Sequence, residues 1–105
     1  MKIEAAKSDL EDALKVASTT VGSGTDLSSH YLFRVRDGNA EVLSYDMRVF
    51  SGSPFKANIE GDESDSFTVE AWRLDKWISS VGDGVLILSK GEDGSIIAKG
   101  PRSRI

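Results

Sequence analysis

At 105 residues the chain is long enough for one ordinary domain and too short for two. With 39% hydrophobic and 29% charged residues it has the composition of a globular protein that builds its own core. It has no cysteine, which excludes a disulfide framework, thiolate metal sites and a cysteine nucleophile, and its net charge of −4 excludes a surface that is basic throughout while allowing a local basic patch.

Met1 leads straight into structure, with no apolar signal region before it, and no stretch approaches the ~18–20 apolar residues of a membrane span. With the missing cysteines this fits a cytosolic protein. Residues 2–6 (KIEAA) alternate and read as a strand. Ser8 and Asp9 supply capping and first-turn chemistry for a helix, and Glu11 and Asp12 suit the positive end of its dipole. Leu10, Ala13, Leu14 and Ala17 fall at i, i+3, i+4 and i+7, the apolar stripe of that helix, which is expected to stop by Gly22. Gly22-Ser23-Gly24 reads as a loop.

Alternation follows. Tyr31, Phe33 and Val35 face one way and Leu32, Arg34 and Arg36 the other, Asp37-Gly38 signals a hairpin, and Ala40, Val42 and Ser44 return on one face. An extended segment from Arg48 to Ile59 is interrupted by Gly52 and Pro54, and the proline suits an edge strand or bulge. Residues 61–65 form an acidic connector. The pattern then restarts. Phe67-Thr68-Val69 reads as a strand. Leu74, Trp77, Ile78 and Val81 stripe a second helix that ends at Gly82, and Val85–Leu88 reads as a buried strand. Glu92-Asp93-Gly94 is a turn, Ser95–Lys99 returns, and Arg102–Ile105 resembles the opening of a further strand, cut short. The two helices are offset by about 64 residues, so the pseudo-repeats run over about 1–60 and 65–105 of a single domain. The expected fold is α+β, a duplicated β-α-β-β-β unit with both helices on one face of antiparallel sheet, because only side by side do the two stripes become buried.

Catalytic chemistry is poorly supplied. His30, the one histidine, opens a strand and reads as a surface or half-buried residue. Ser28 and Ser29 precede it, but neighbours on a strand point to opposite faces and create no nucleophile–base geometry. Asp62, Glu63 and Asp65 fit no cation loop and read as solvated, and no glycine pattern cradles a phosphate. Neither a cofactor nor a metal is expected, and the chain is not expected to be an enzyme. Trp77 belongs to the second stripe, while Trp72 is read as packing at the start of that helix. Lys7 and Lys15 on the first helix, with Arg73, Lys76 and Ser80 on the second, form one surface offering charge to a phosphate backbone if the helices lie together. Asp9, Glu11, Asp12 and Asp75 share those helices, so an ordinary mixed-charge solvated face explains the pattern at least as well.

Three stretches carry a family resemblance: Met1-Lys2-Ile3 leading into Ser8-Asp9-Leu10-x-x-Ala13-Leu14; Phe67-Thr68-Val69-x-Ala71 running into a helix; and Glu92-Asp93-Gly94-Ser95-Ile96-Ile97-Ala98 followed by Arg102-Ser103. With the duplicated unit, they resemble the first domain of a DNA sliding clamp of bacterial or phage type, the ring-shaped processivity factor of replicative polymerases. The resemblance implies a non-enzymatic protein of DNA replication whose helices line a central hole around duplex DNA, touching phosphates without reading bases. It implies Lys7, Lys15, Arg73 and Lys76 as the DNA-facing residues, and DNA polymerase and a clamp loader as partners. Clamps close a ring of six such domains from two or three per chain, so it also implies a homo-oligomer or a piece of a longer ring-forming chain. The competing expectation is a clamp-like module that binds protein through a sheet edge and never encircles DNA.

Overall fold

The computed structural model describes residues 1–18, 30–36, 38–45, 50–61 and 65–100. The Gly22–Gly24 loop, Ser28 and Ser29, Asp37 of the hairpin turn, Arg48, Asp62–Ser64 of the connector and the Arg102–Ile105 strand expectation lie outside these residues. In chain order the elements are β1 (Lys2–Ala6), α1 (Lys7–Ala17), β2 (His30–Arg36), β3 (Asn39–Tyr45), β4 (Phe50–Phe55), β5 (Asn58–Glu60), β6 (Ser66–Glu70), α2 (Ala71–Ser80), β7 (Val85–Lys90) and β8 (Ile96–Lys99).

The strands divide between two four-stranded antiparallel sheets, β5-β1-β7-β8 and β4-β3-β2-β6, where the sequence suggested one shared sheet. The division follows from an exchange. β1 pairs with β7, Ile3 opposite Leu88 and Ala5 opposite Leu86. β6 pairs with β2, Phe67 opposite Phe33 and Val69 opposite Tyr31. Each half of the duplicated unit thus gives its opening strand to the other half's sheet.

Inward residues of both sheets and the stripes of both helices meet in one core: Ile3, Leu10, Leu14, Tyr31, Phe33, Val42, Phe67, Leu74, Ile78, Leu86 and Leu88 are all buried. At its centre the fully buried Phe33 ring stacks on Phe67 at 5.2 Å between centroids and meets Phe55 edge-on at 6.2 Å. Both arrangements suit aromatic quadrupoles. The alternation read from the sequence holds for Tyr31, Phe33, Ala40, Val42 and Ser44, all buried. It corrects the reading of Val85–Leu88 as a wholly buried run. Leu86 and Leu88 are buried while Val85 is 51% exposed, because one face of this sheet looks outward.

Helix α1 begins two residues earlier than Ser8 capping would require. Its N-cap is Ala6, with no side-chain hydrogen bond, because the helix continues directly from β1. The Lys7 amide donates instead to the Gly84 carbonyl at 2.8 Å, so a tertiary contact satisfies one of the orphan donors at this helix start. At the other end, the buried Ser44 hydroxyl donates to the Ala17 carbonyl and ties the helix to β3. The β7–β8 turn is built as the sequence implied. Gly94 takes φ +84°, and the Asp93 carboxylate accepts from the Ser95 amide at 3.0 Å and the Ser95 hydroxyl at 2.6 Å.

Asp65 fastens β6 to the neighbouring sheet. Its carboxylate lies 2.8 Å from Lys90 Nζ and 3.8 Å from the Met1 amino group. The hydrogen bond from Lys90, then that from the Ser66 amide, hold its carboxyl below the ordinary aspartate value of 3.8. A depressed acid stabilises the fold above its unfolded-state value and loses that contribution as pH falls through the folded one. Asp65→Asn is therefore expected to flatten the acid side of the stability–pH curve, read as urea midpoints between neutral pH and the acid transition. Phe33→Ala is expected to cost about 3–5 kcal/mol in the same assay, as large core truncations do.

Candidate nucleic-acid interface

Helices α1 and α2 lie side by side. Glu11, Leu14, Lys15 and Ser18 of one and Asp75 and Ile78 of the other line a groove of about 220 Å³ between them. The pairing is anchored from below. Tyr31, fully buried on β2, donates its hydroxyl to both Asp75 carboxylate oxygens, at 3.0 and 3.1 Å. Burial, then the Asp75 charge, then the hydrogen bond itself hold the phenol proton on and push its pKa up. The two helices are therefore neighbours across this groove.

The four basic residues singled out in the sequence take different places on these helices. Lys7 is turned inward. Its side chain is 13% exposed, Nζ donates to the Val81 carbonyl at 2.7 Å, and Asp83 lies 3.9 Å away. It thereby sets a cation on the C-terminal cap of α2, where the helix dipole is negative, and links the start of one helix to the end of the other. Lys15 is exposed in the last turn of α1 and lines the interhelical groove. Arg73 and Lys76 are exposed one turn apart on α2, on the same face. Lys15 and Lys76 make no ion pair within the described residues.

Arg73 has two neighbours. Its Nε lies 3.6 Å from the Glu70 carboxylate, and its guanidinium sits 5.3 Å above the Trp72 ring. At 68% exposure the ion pair is worth little and yields readily to another anion. Trp72 corrects the sequence reading. It is 58% exposed rather than packed, with its Nε1 donating to Glu70 at 2.9 Å and its ring lying under Arg73. The indole is held at the surface by polar neighbours on its own helix turn, an arrangement that apolar periodicity does not register. Trp77, by contrast, is half-buried and packs against the core.

His30 is half-buried at the start of β2, beside a second groove that runs between β6 and β8. Among the described residues no group of three or more His, Asp or Glu side chains is placed to hold a metal ion, and no helix is long and apolar enough to cross a membrane.

The chain superposes on solved bacterial clamp structures over almost its entire length. Against a DNA polymerase sliding clamp from Caulobacter crescentus the TM-score is 0.85, with 21% identity, covering 100% of this chain and 29% of that one. For the beta clamp of Helicobacter pylori the values are 0.81 and 24%, covering 98% and 28%. For the beta subunit of the Streptococcus pyogenes DNA polymerase they are 0.82 and 13%, covering 100% and 29%. The fold is the sliding-clamp fold. The chain spans a little over a quarter of the length of these clamps. No protein-family model and no curated protein matches the sequence.

In this clamp fold Tyr31 is a structural anchor of α2, and the phenol's raised pKa gives it a testable signature. A raised acid contributes stability below its unfolded-state value near 10 and loses that contribution as pH rises beyond it. Tyr31→Phe is expected to cost about 0.5–1.5 kcal/mol at neutral pH. It should also remove part of the alkaline destabilisation, both measured by denaturant titration.

Proposed function

We propose that this chain serves as a sliding-clamp domain, a non-enzymatic processivity element that takes part in encircling duplex DNA and tethering a replicative polymerase. The observation that carries the reading is the clamp fold over the whole chain, combined with exposed Lys15, Arg73 and Lys76 on the two-helix surface. In a ring of such domains this surface faces the hole. DNA polymerase and a clamp loader are the partners the reading brings with it, in a cytoplasmic setting. The ring is completed by further copies or by further clamp domains.

The chemistry of the surface suits sliding. Lysine and arginine on long stems meet phosphate as mobile, water-screened charges, with attraction that falls off over a Debye length of ~8 Å at physiological salt. Contacts of this kind carry no sequence information and favour no register along the duplex. Asp12 is exposed among them, and Glu11 and Asp75 line the groove, so the field is moderated rather than uniformly positive. Lys7, engaged with Val81 and Asp83, acts in this scheme through the packing of the helices rather than through phosphate.

A second reading is a clamp-like module that binds protein through a sheet edge and never encircles DNA. The two are separated by fluorescence anisotropy with a labelled duplex across a salt series. Under the clamp reading affinity is weak, independent of sequence and salt-sensitive. Arg73→Glu with Lys76→Glu abolishes it, and single neutral replacements lower the slope of log affinity against log salt by roughly 0.9 for each phosphate no longer neutralised. Affinity that is absent in the wild-type chain at low salt, in both its free and its assembled state, would overturn the clamp reading and favour the module. Solution mass across a dilution series then tells whether the chain closes a six-domain ring by itself.

A further inference from the structure

Trp72 stands apart from the other large apolar side chains left at the surface. It is the most exposed of those described, at 58%, and its surroundings are charged rather than apolar. Nε1 donates to one Glu70 carboxylate oxygen at 2.9 Å, and the Arg73 guanidinium sits 5.3 Å from the ring centroid. The other Glu70 oxygen lies 3.6 Å from Arg73 Nε, so one carboxylate holds both the indole and the guanidinium. Lys76 follows one turn later at i+4, exposed on the same side of α2.

An exposed indole forfeits the burial that its area would give, and something other than packing must account for its place. A ring set among charges does not suit the centre of a protein interface, where charged residues are depleted. What suits an aromatic face beside two cations is a ligand with a π-face and negative charge together. An unpaired nucleotide has both, its phosphates for Arg73 and Lys76 and its base for the indole. A duplex offers only half of this. Its bases are stacked on one another, and a side chain arriving from outside meets phosphate and sugar. Lysine and arginine satisfy a duplex without help, so Trp72 has a partner only where a strand is single.

We infer that Trp72, flanked by Arg73 and Lys76, is a stacking platform for unpaired DNA next to a duplex. Glu70 keeps the platform ordered while it is empty. A phosphate that reaches Arg73 replaces this carboxylate as its partner, and the neighbouring base comes to lie on the indole. The exchange is easy, because a pair whose side chains are 68% and 42% exposed is weakly held. The inference deepens the clamp reading and rests on it only for the approach of DNA to the helices.

The test is fluorescence anisotropy on two labelled DNAs of equal phosphate count. One is a blunt duplex, and the other carries a single-stranded thymidine overhang of about 10 nucleotides. The wild-type chain is expected to prefer the overhang by about tenfold, the contribution of one stacked base. Trp72→Ala should bring the ratio of the two affinities to about one, and Trp72→Phe should keep part of the preference. For the overhang DNA, Trp72→Ala should leave the slope of log affinity against log salt unchanged, whereas Arg73→Gln should reduce it. Stacking releases no counterion, and a phosphate contact does. Glu70→Gln keeps an acceptor for the indole and removes the competing charge, so it should raise affinity for the overhang. In Trp77→Phe, where Trp72 is the sole indole, the overhang should quench the fluorescence and the blunt duplex should not. Circular dichroism checks that each variant is folded. Equal affinity of the wild-type chain for both DNAs would overturn the inference and leave the clamp reading standing, as would a preference that survives Trp72→Ala. Binding to the overhang DNA with none to the blunt duplex would support the platform and count against the clamp reading. Binding to neither would overturn both.

Discussion

The exchange of opening strands between the two halves is the constraint on which the rest of the structure depends. β1 is held between β5 and β7, and β6 lies beside β2, so neither half possesses a complete sheet until the other is in place. The helices inherit this dependence. Each follows its opening strand without a loop, α1 from Ala6 and α2 from Glu70, and neither N-cap makes a side-chain hydrogen bond. Where α1 begins is therefore decided by where β1 pairs, and its first amide finds a partner in Gly84, beyond the end of α2. A helix of 10 or 11 residues is marginal on its own. Here both are fixed at the start by a strand that pairs into the other half's sheet.

That arrangement also explains how charge is distributed over the helices. Tyr31 rises from β2 to hold Asp75, and Lys7 reaches across from the β1–α1 junction to the end of α2. The exposed Asp75 and the largely buried Lys7 side chain thus each engage a partner that helps to hold the helices side by side. Left outward are the cations of Lys15, Arg73 and Lys76 and the carboxylate of Asp12, while Glu11 lies at the groove. Arg73 holds Glu70 through a contact weak enough to exchange, and its guanidinium rests on Trp72 without being buried. The two-helix surface is held from beneath by Tyr31 and carries exposed charge above.

What the sequence made legible were features set by local periodicity. The stripe Leu10, Ala13, Leu14 and Ala17 and the alternating Tyr31, Phe33, Ala40, Val42 and Ser44 are buried as expected, because repeat geometry decides which face they share, while Val35, expected with them, is only half-buried. The features it concealed depend on partners distant in the chain. Nothing near Lys7 indicates a carbonyl 74 residues away. Ser8 follows a strand in a pattern that suggests a cap, and only the Ala6–Lys7 junction with Gly84 shows why none is needed. Val85 sits in a run of four aliphatic residues that looks buried throughout, yet its pairing opposite Ala6 sets it on the outer face. The grouping of strands into two sheets is hidden for the same reason, since β1–β7 and β6–β2 are pairings between halves. Of the four basic residues the sequence singled out, the fold leaves Lys15, Arg73 and Lys76 exposed and turns Lys7 inward.

The sheet edges complete the physical picture, because a duplicated fold offers equivalent edges twice and this chain treats them differently. On the β4 side the edge strand carries Pro54, opposite Glu41, where the missing amide removes a donor from the ladder. The run then leaves that sheet altogether, and β5 is only three residues long. Short length and proline are both devices that discourage another chain from pairing. β6 and β8 contain no proline, no crossing segment is seen beside them among the described residues, and apolar side chains line the groove between them. The asymmetry does not come from the helices or from the paired strands, which correspond closely in the two halves. It comes from Phe55–Glu60, a stretch with no counterpart among the described residues of the second half. Among the described residues, Phe55–Glu60 closes one side of the gap between the sheets, and the other side is a groove.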